Sequence, residues 1–139
     1  MTSDEFEHLV RQVFEATGLE GWTTEHSRDD GVDAVMVNKT PGGKMLSIVH
    51  AKRYSRVVGV SHVRELAGAM EEKKAGHGIL VTTSWFTAGR WQKAAEHGRM
   101  QLFDGPRLRA MIKEHLGKDV LISVDRPPHA ATGPTSPSS

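Results

Sequence analysis

Four residues, Thr40-Pro41-Gly42-Gly43, constrain this chain more than any others. Proline presets φ near −65° and glycine accepts positive φ, so the backbone reverses there. Val32-Asp33-Ala34-Val35-Met36-Val37 precedes the turn and Met45-Leu46-Ser47-Ile48-Val49-His50 follows it. Both runs are rich in β-branched and apolar residues, so the turn closes a hairpin. If the hairpin is symmetric about the Pro41–Gly42 bond, paired residue numbers sum to 83 and Asp33 lies opposite His50. Residues two apart share a strand face, which adds Lys52 to that side. Opposed Cβ atoms lie about 4.5–5.5 Å apart, a separation that suits two side chains sharing one metal ion with an ammonium beside them. The same spacing also describes a half-exposed hairpin with ordinary polar residues, and a one-residue bulge would break the register.

The remaining elements read off in order. Thr2 and Glu5 are spaced as a capping box, and Phe6, Leu9, Val10, Val13 and Phe14 recur at helical spacing up to a stop at Gly18. Glu7 borders that apolar stripe, either at the edge of a site or on a solvated flank. Residues 22–26 suggest a strand leading into the acidic turn at Asp29-Asp30. Beyond the hairpin, Ser61 is a candidate cap for a helix carrying Val63, Leu66, Ala67 and Met70. Gly78-Ile79-Leu80-Val81-Thr82-Thr83 has the near-continuous apolar pattern of a buried strand. Strand, helix, strand then implies a right-handed parallel crossover. Thr87 is a candidate cap for a third helix, with Trp91, Ala94 and Ala95 inward and Arg90, Lys93 and Arg99 outward. A short strand over 100–103 and a helix opened by Asp104-Gly105-Pro106 complete the pattern αβββαβαβα, an α/β domain with a mixed sheet. Residues 120–124 suggest an edge strand. Together these elements assign residues 1–125 to one domain and the Pro-, Ser- and Thr-rich residues 126–139 to a disordered tail.

Composition removes several chemistries. With no cysteine, there is no disulfide framework and no thiol nucleophile. None of the eight histidines forms an H-x-x-x-H pair, and phosphate-binding glycine loops and a G-x-S-x-G elbow are absent. The apolar runs fall far short of the roughly 20 residues that span a bilayer. No charged-then-apolar leader opens the chain, so a cytoplasmic protein is the expectation. The net charge of +1 conceals an asymmetry: residues 1–50 hold 4 Lys/Arg against 9 Asp/Glu, and residues 51–139 hold 14 against 8. Carboxylates for a cation beside Lys/Arg for a polyanion suit metal-dependent phosphodiester chemistry. Arg53-Tyr54-Ser55-Arg56 has the composition to lie along a phosphate backbone.

Taken in order, several segments resemble the Mrr-type catalytic domain of the restriction-endonuclease-like, PD-(D/E)xK superfamily. They are Phe6-Glu7-His8-Leu9-Val10, Asp29-Asp30-Gly31-Val32-Asp33, His50-Ala51-Lys52-Arg53-Tyr54, Val63-Arg64-Glu65-Leu66-Ala67-Gly68, residues 78–87 and Leu102-Phe103-Asp104-Gly105. The similarity covers roughly residues 5–116, and its specificity lies in the ordered set. It implies a restriction-endonuclease-like mixed β-sheet flanked by helices. It also implies active-site roles for Asp33 and Lys52, and brings in Glu7 through the Phe6-Glu7 pair. His50 departs from the family, standing where Gln or Glu is usual, and Asp30 stands where Gly is common. Histidine prefers softer divalent metals than Mg²⁺, so His50 is a candidate metal ligand, a partner of bound water or a proton acceptor.

The resemblance therefore implies a divalent-metal-dependent DNA endonuclease using Mg²⁺ or Mn²⁺. Glu7, Asp33, His50 and Lys52 form the catalytic set, with Asp33 and His50 at the metal. Arg53, Arg56, Arg64, Arg90 and Lys93 are candidate phosphate contacts. No separate recognition module is evident in these residues, so target selection would come from a homodimer, a partner or further sequence outside this segment. Two alternatives share the fold: a structure-selective nuclease of the Holliday-junction-resolvase type, and a module that binds DNA after losing catalysis.

Overall fold

The computed structural model describes residues 2–25, 31–54 and 56–117. Asp29, Asp30, the strand expected over 120–124 and the tail over 126–139 lie outside them. Within them the element order is the expected αβββαβαβα: α1 (Ser3–Ala16), β1 (Leu19–Glu25), β2 (Gly31–Thr40), β3 (Gly43–Lys52), α2 (Val60–Lys73), β4 (His77–Thr82), α3 (Trp91–His97), β5 (Met100–Phe103) and α4 (Gly105–Leu116). No described helix is long and apolar enough to cross a membrane.

The five strands form one sheet in the order β1-β2-β3-β4-β5. β1, β2 and β3 pair antiparallel, whereas β3–β4 and β4–β5 pair parallel. The hairpin register is unbroken from Thr40↔Gly43 to Gly31↔Lys52, with Asp33 opposite His50. β1 begins at Leu19, three residues before the expected start, because a bulge between Glu20 and Thr23 lets the strand continue past Gly21. Gly21 has φ of +68°, a conformation that side-chain-bearing residues rarely adopt.

Strand parity sorts the side chains into two layers. Val32, Ala34 and Met36 of β2, Val49 and Ala51 of β3, and Ile79 and Val81 of β4 point to the layer formed by α1 and α4. Phe6, Val10, Phe14, Leu108 and Ile112 cover them. Ile48, Leu80 and Leu102 point the other way, against Leu66 of α2 and Ala95 of α3. Fully burying one such side chain contributes about 1.5–3 kcal/mol, so the two clusters fix both helix layers to the sheet. Phe14 and Phe103 meet edge to face at 5.7 Å, and the Arg107 guanidinium lies 4.5 Å from the Phe103 centroid.

The helix termini agree with expectation at two places and depart from it at two. The capping box on α1 is present, Thr2 N–H donating to Glu5 Oε1 at 2.7 Å and Glu5 N–H to Thr2 Oγ1 at 3.1 Å. These bonds hold the Glu5 carboxyl below its ordinary pKa. Asp104 caps α4 through Oδ1, which accepts from Arg107 N–H at 2.9 Å. Ser61, by contrast, lies inside α2, whose N-cap is Gly59. The His62 ring reaches back there, Nδ1 accepting from Gly59 N–H at 3.4 Å, so an imidazole takes the place that Glu or Gln holds at the third position of a capping box. Thr87 does not cap α3, which starts at Trp91. Its hydroxyl instead accepts from Trp91 Nε1 at 3.0 Å, and its carbonyl from Gln92 Nε2 at 2.8 Å.

Candidate active site

The hairpin pleat puts Asp33 of β2 and His50 and Lys52 of β3 on the α2/α3 side of the sheet, the side of Ile48 and Val35. Asp33 Oδ1 and His50 Nε2 are 3.8 Å apart, too far for a hydrogen bond and near enough for one atom to bridge them. His50 and Lys52 are 6% and 3% exposed, so both functional groups lie within the protein surface. Lys52 Nζ lies 4.0 Å from Glu65 Oε1, a carboxylate that reaches down from α2.

Several features hold Lys52 in place. Its strand neighbours are Gly31 on one side and Thr82 on the other. A Cβ at Gly31 would sit 2.6 Å from the Ala51 carbonyl oxygen and 3.2 Å from Lys52 Cδ, so only glycine leaves room for that side chain. Beyond β4, Thr83 N–H donates to the Lys52 carbonyl at 3.1 Å and Thr83 Oγ1 to the Tyr54 carbonyl at 3.0 Å. Val58 N–H then donates to Trp85 O at 2.9 Å and Thr87 N–H to Val58 O at 3.0 Å. The basic segment after Lys52 is thereby tied to the continuation of β4. Buried Thr82 and Ser84 satisfy each other, their hydroxyls 2.9 Å apart.

Glu7 is placed differently. It is half-buried on α1, next to Phe6, in the layer that covers the opposite face of the sheet. The short turn at Thr17-Gly18 folds α1 back along β1, so the start of α1 lies toward the sheet end where Glu25 pairs with Asp33. Glu7 thus shares an end of the sheet with Asp33 but not a face. Of the basic residues, Arg53 is half-buried at the exit of β3, while Arg56, Arg64, Arg90 and Lys93 are exposed on the following loop, α2 and the start of α3. Glu65 is the side chain that sequence reasoning passes over. Its place one residue before Leu66 puts it about 100° from the buried position of an amphipathic helix, which marks a flank and not a contact.

The donor set suits a divalent ion. Asp33 Oδ1 is buried and has no hydrogen-bond partner among the described residues, and such an atom is costly unless something satisfies it. Among those residues no cluster of three or more His, Cys, Asp or Glu side chains is placed to hold a metal. Asp33 and His50 are the side chains that could hold such an ion, with backbone oxygen, water or a phosphate completing its shell, as Mg²⁺ sites usually allow. A separate cavity of about 480 Å³ opens on the opposite face, lined by Phe14, His77, Phe103 and Arg107 among others, away from this group.

A sequence profile described as restriction endonuclease, that of the Mrr catalytic domain, matches residues 1–112. The chain is similar to the type IV methyl-directed restriction enzyme EcoKMrr of Escherichia coli (strain K12), 32% identical over 118 residues. That match covers 81% of this chain and 38% of the relative, so the chain spans well under half of the relative's length. Among solved structures, the DNA modification-dependent restriction endonuclease AspBHI has the same fold, with a TM-score of 0.61 at 21% identity over 82% of this chain and 31% of that one. The MspJI restriction endonuclease, in complex with a 27-mer oligonucleotide, gives a TM-score of 0.46 at 16% identity, covering 78% of this chain and 26% of that one.

Proposed function

The chain belongs to the Mrr-type restriction endonucleases, and from that premise we propose that it is a divalent-metal-dependent DNA endonuclease that hydrolyses phosphodiester bonds at Asp33, His50 and Lys52. The observation that carries the reading is the buried Oδ1 of Asp33, without a hydrogen-bond partner among the described residues, 3.8 Å from His50 Nε2 and two register pairs from a buried lysine.

Asp33 and His50 would hold Mg²⁺ or Mn²⁺, which when bound acidifies water and neutralises charge developing on the phosphate. The attacking water oxygen forms the new bond to phosphorus as the bond to the leaving oxygen breaks. Lys52 presents its ammonium to the phosphate oxygens, where charge grows in the transition state. The proton that the water loses passes to solvent, because an imidazole holding the metal has no lone pair left to accept it. Glu7, at the same end of the sheet, would act from the rim through water. Arg53 and Arg56 follow Lys52 directly and would grip the flanking phosphates, with Arg64, Arg90 and Lys93 extending the track.

Binding without cleavage is the second reading, favoured by histidine at position 50 in place of an acid or amide. One assay separates the two. Plasmid, methylated and unmethylated, is incubated with the protein in Mg²⁺, in Mn²⁺ and without metal. Metal-dependent nicking that Asp33→Ala or Lys52→Ala abolishes, with folding intact, is the expected result. Retardation of DNA with no cleavage in any metal establishes the binding reading instead.

A further inference from the structure

We infer that Glu65 is a positioning residue for Lys52, an inference that rests on the nuclease reading above. The backbone of Lys52 is held on both sides, by Gly31 of β2 and by Thr82 and the Thr83 N–H at the end of β4. None of these constrains the far end of a flexible four-carbon side chain. The carboxylate 4.0 Å from Nζ does, and it comes from a different layer of the fold.

The asymmetry of the pair is informative. The Lys52 side chain is 3% exposed and that of Glu65 is 60% exposed. An ion pair with one partner so open to water adds little to stability, so its effect is directional. α2 is anchored on the sheet by Leu66, its one buried residue, and Glu65 is the next residue toward the N-terminus. The contact that seats the helix therefore also sets the height of the carboxylate above the strand. Asp33 and His50 lie two register pairs away on β2 and β3, on the same face of the sheet as Lys52. Through that contact Glu65 draws the ammonium toward the helix side of the sheet. Glu65 touches neither substrate nor metal in this role.

The test uses the full chain and single-turnover cleavage of a plasmid at saturating protein with Mg²⁺. Glu65→Gln and Glu65→Ala are expected to slow cleavage by about tenfold or more, since small misplacements of a catalytic group cost one to two orders of magnitude. DNA affinity, Mn²⁺ affinity measured by calorimetry and melting temperature should stay near wild type, and Glu65→Asp should recover part of the rate. If Glu65→Gln cleaves within twofold of wild type while Lys52→Ala is inactive, the inference is wrong and the nuclease reading stands. Loss of Mn²⁺ or DNA affinity with an unchanged saturated rate would make Glu65 a ligand, and a large fall in melting temperature would make it structural; either overturns the inference. Wild-type protein that cleaves no DNA in either metal overturns both readings.

Discussion

At the scale of single residues, Gly31 carries the sharpest prediction. Its missing side chain accommodates Lys52, and a Cβ 2.6 Å from the Ala51 carbonyl oxygen cannot be absorbed without moving a strand. Gly31→Ala is therefore expected to lower the saturated cleavage rate by roughly tenfold or more, while gel-shift affinity for DNA changes little. A rate equal to wild type would show that Lys52 tolerates the displacement. Asp33, His50 and Lys52 were legible as a group because strand parity and a symmetric turn are arithmetic, and the register is the expected one. Glu65 was not, because its relation to Lys52 crosses from helix to sheet and no local spacing encodes it. Glu7 shows the converse: sequence order associates it with the site, yet α1 packs on the other face.

At the scale of elements, the strands follow their sequence patterns closely and the helix starts do not. The α1 and α4 caps use short side chains that bond within three residues, so the pattern is visible locally. The α2 start depends on an imidazole reaching back to Gly59, and Thr87 is taken up by the Trp91 indole, contacts that the usual hydroxyl-cap pattern does not encode. The start of β4 has its own pH dependence. Half-buried His77, whose Nδ1 lies 3.4 Å from Ser47 Oγ, has its pKa lowered from the ordinary 6.5 by desolvation. Below that value the unfolded chain binds a proton that the folded one resists, so this contribution to stability is intact above about pH 6.5 and is lost as pH falls through that value. Melting temperatures measured from pH 8 to pH 5 should fall less steeply for His77→Gln than for wild type. Parallel curves would exclude His77 as a source of acid sensitivity.

At the scale of the molecule, the order of elements and the mixed sheet were readable because each segment's period agrees with its final state. The two-layer division was implicit in the same alternation, but which helix covers which face depends on packing between distant segments. The basic residues of α2, α3 and the loop after β3 lie on or beside the layer over Lys52, whereas the cavity of about 480 Å³ opens on the other. If that basic layer meets the duplex, DNA affinity should fall steeply with salt, and the log–log slope should weaken by about 0.9 for each phosphate contact removed. Arg90→Ala combined with Lys93→Ala is then expected to reduce the slope by about 1.8. An unchanged slope in a fluorescence-anisotropy titration would exclude α3 from the DNA track.

The pleat that aligns Asp33 with His50 also determines which length changes a descendant of this chain can survive. An extra residue at Pro41-Gly42, where the side chains are exposed, lengthens a loop and leaves both strands in phase. The same residue inserted between Met45 and Ile48 would turn His50 and Lys52 toward α1 and bring Val49 and Ala51 out toward α2, exchanging core for candidate site in one step. Across lineages, the hairpin should therefore vary in length at its tip and hold constant along its arms.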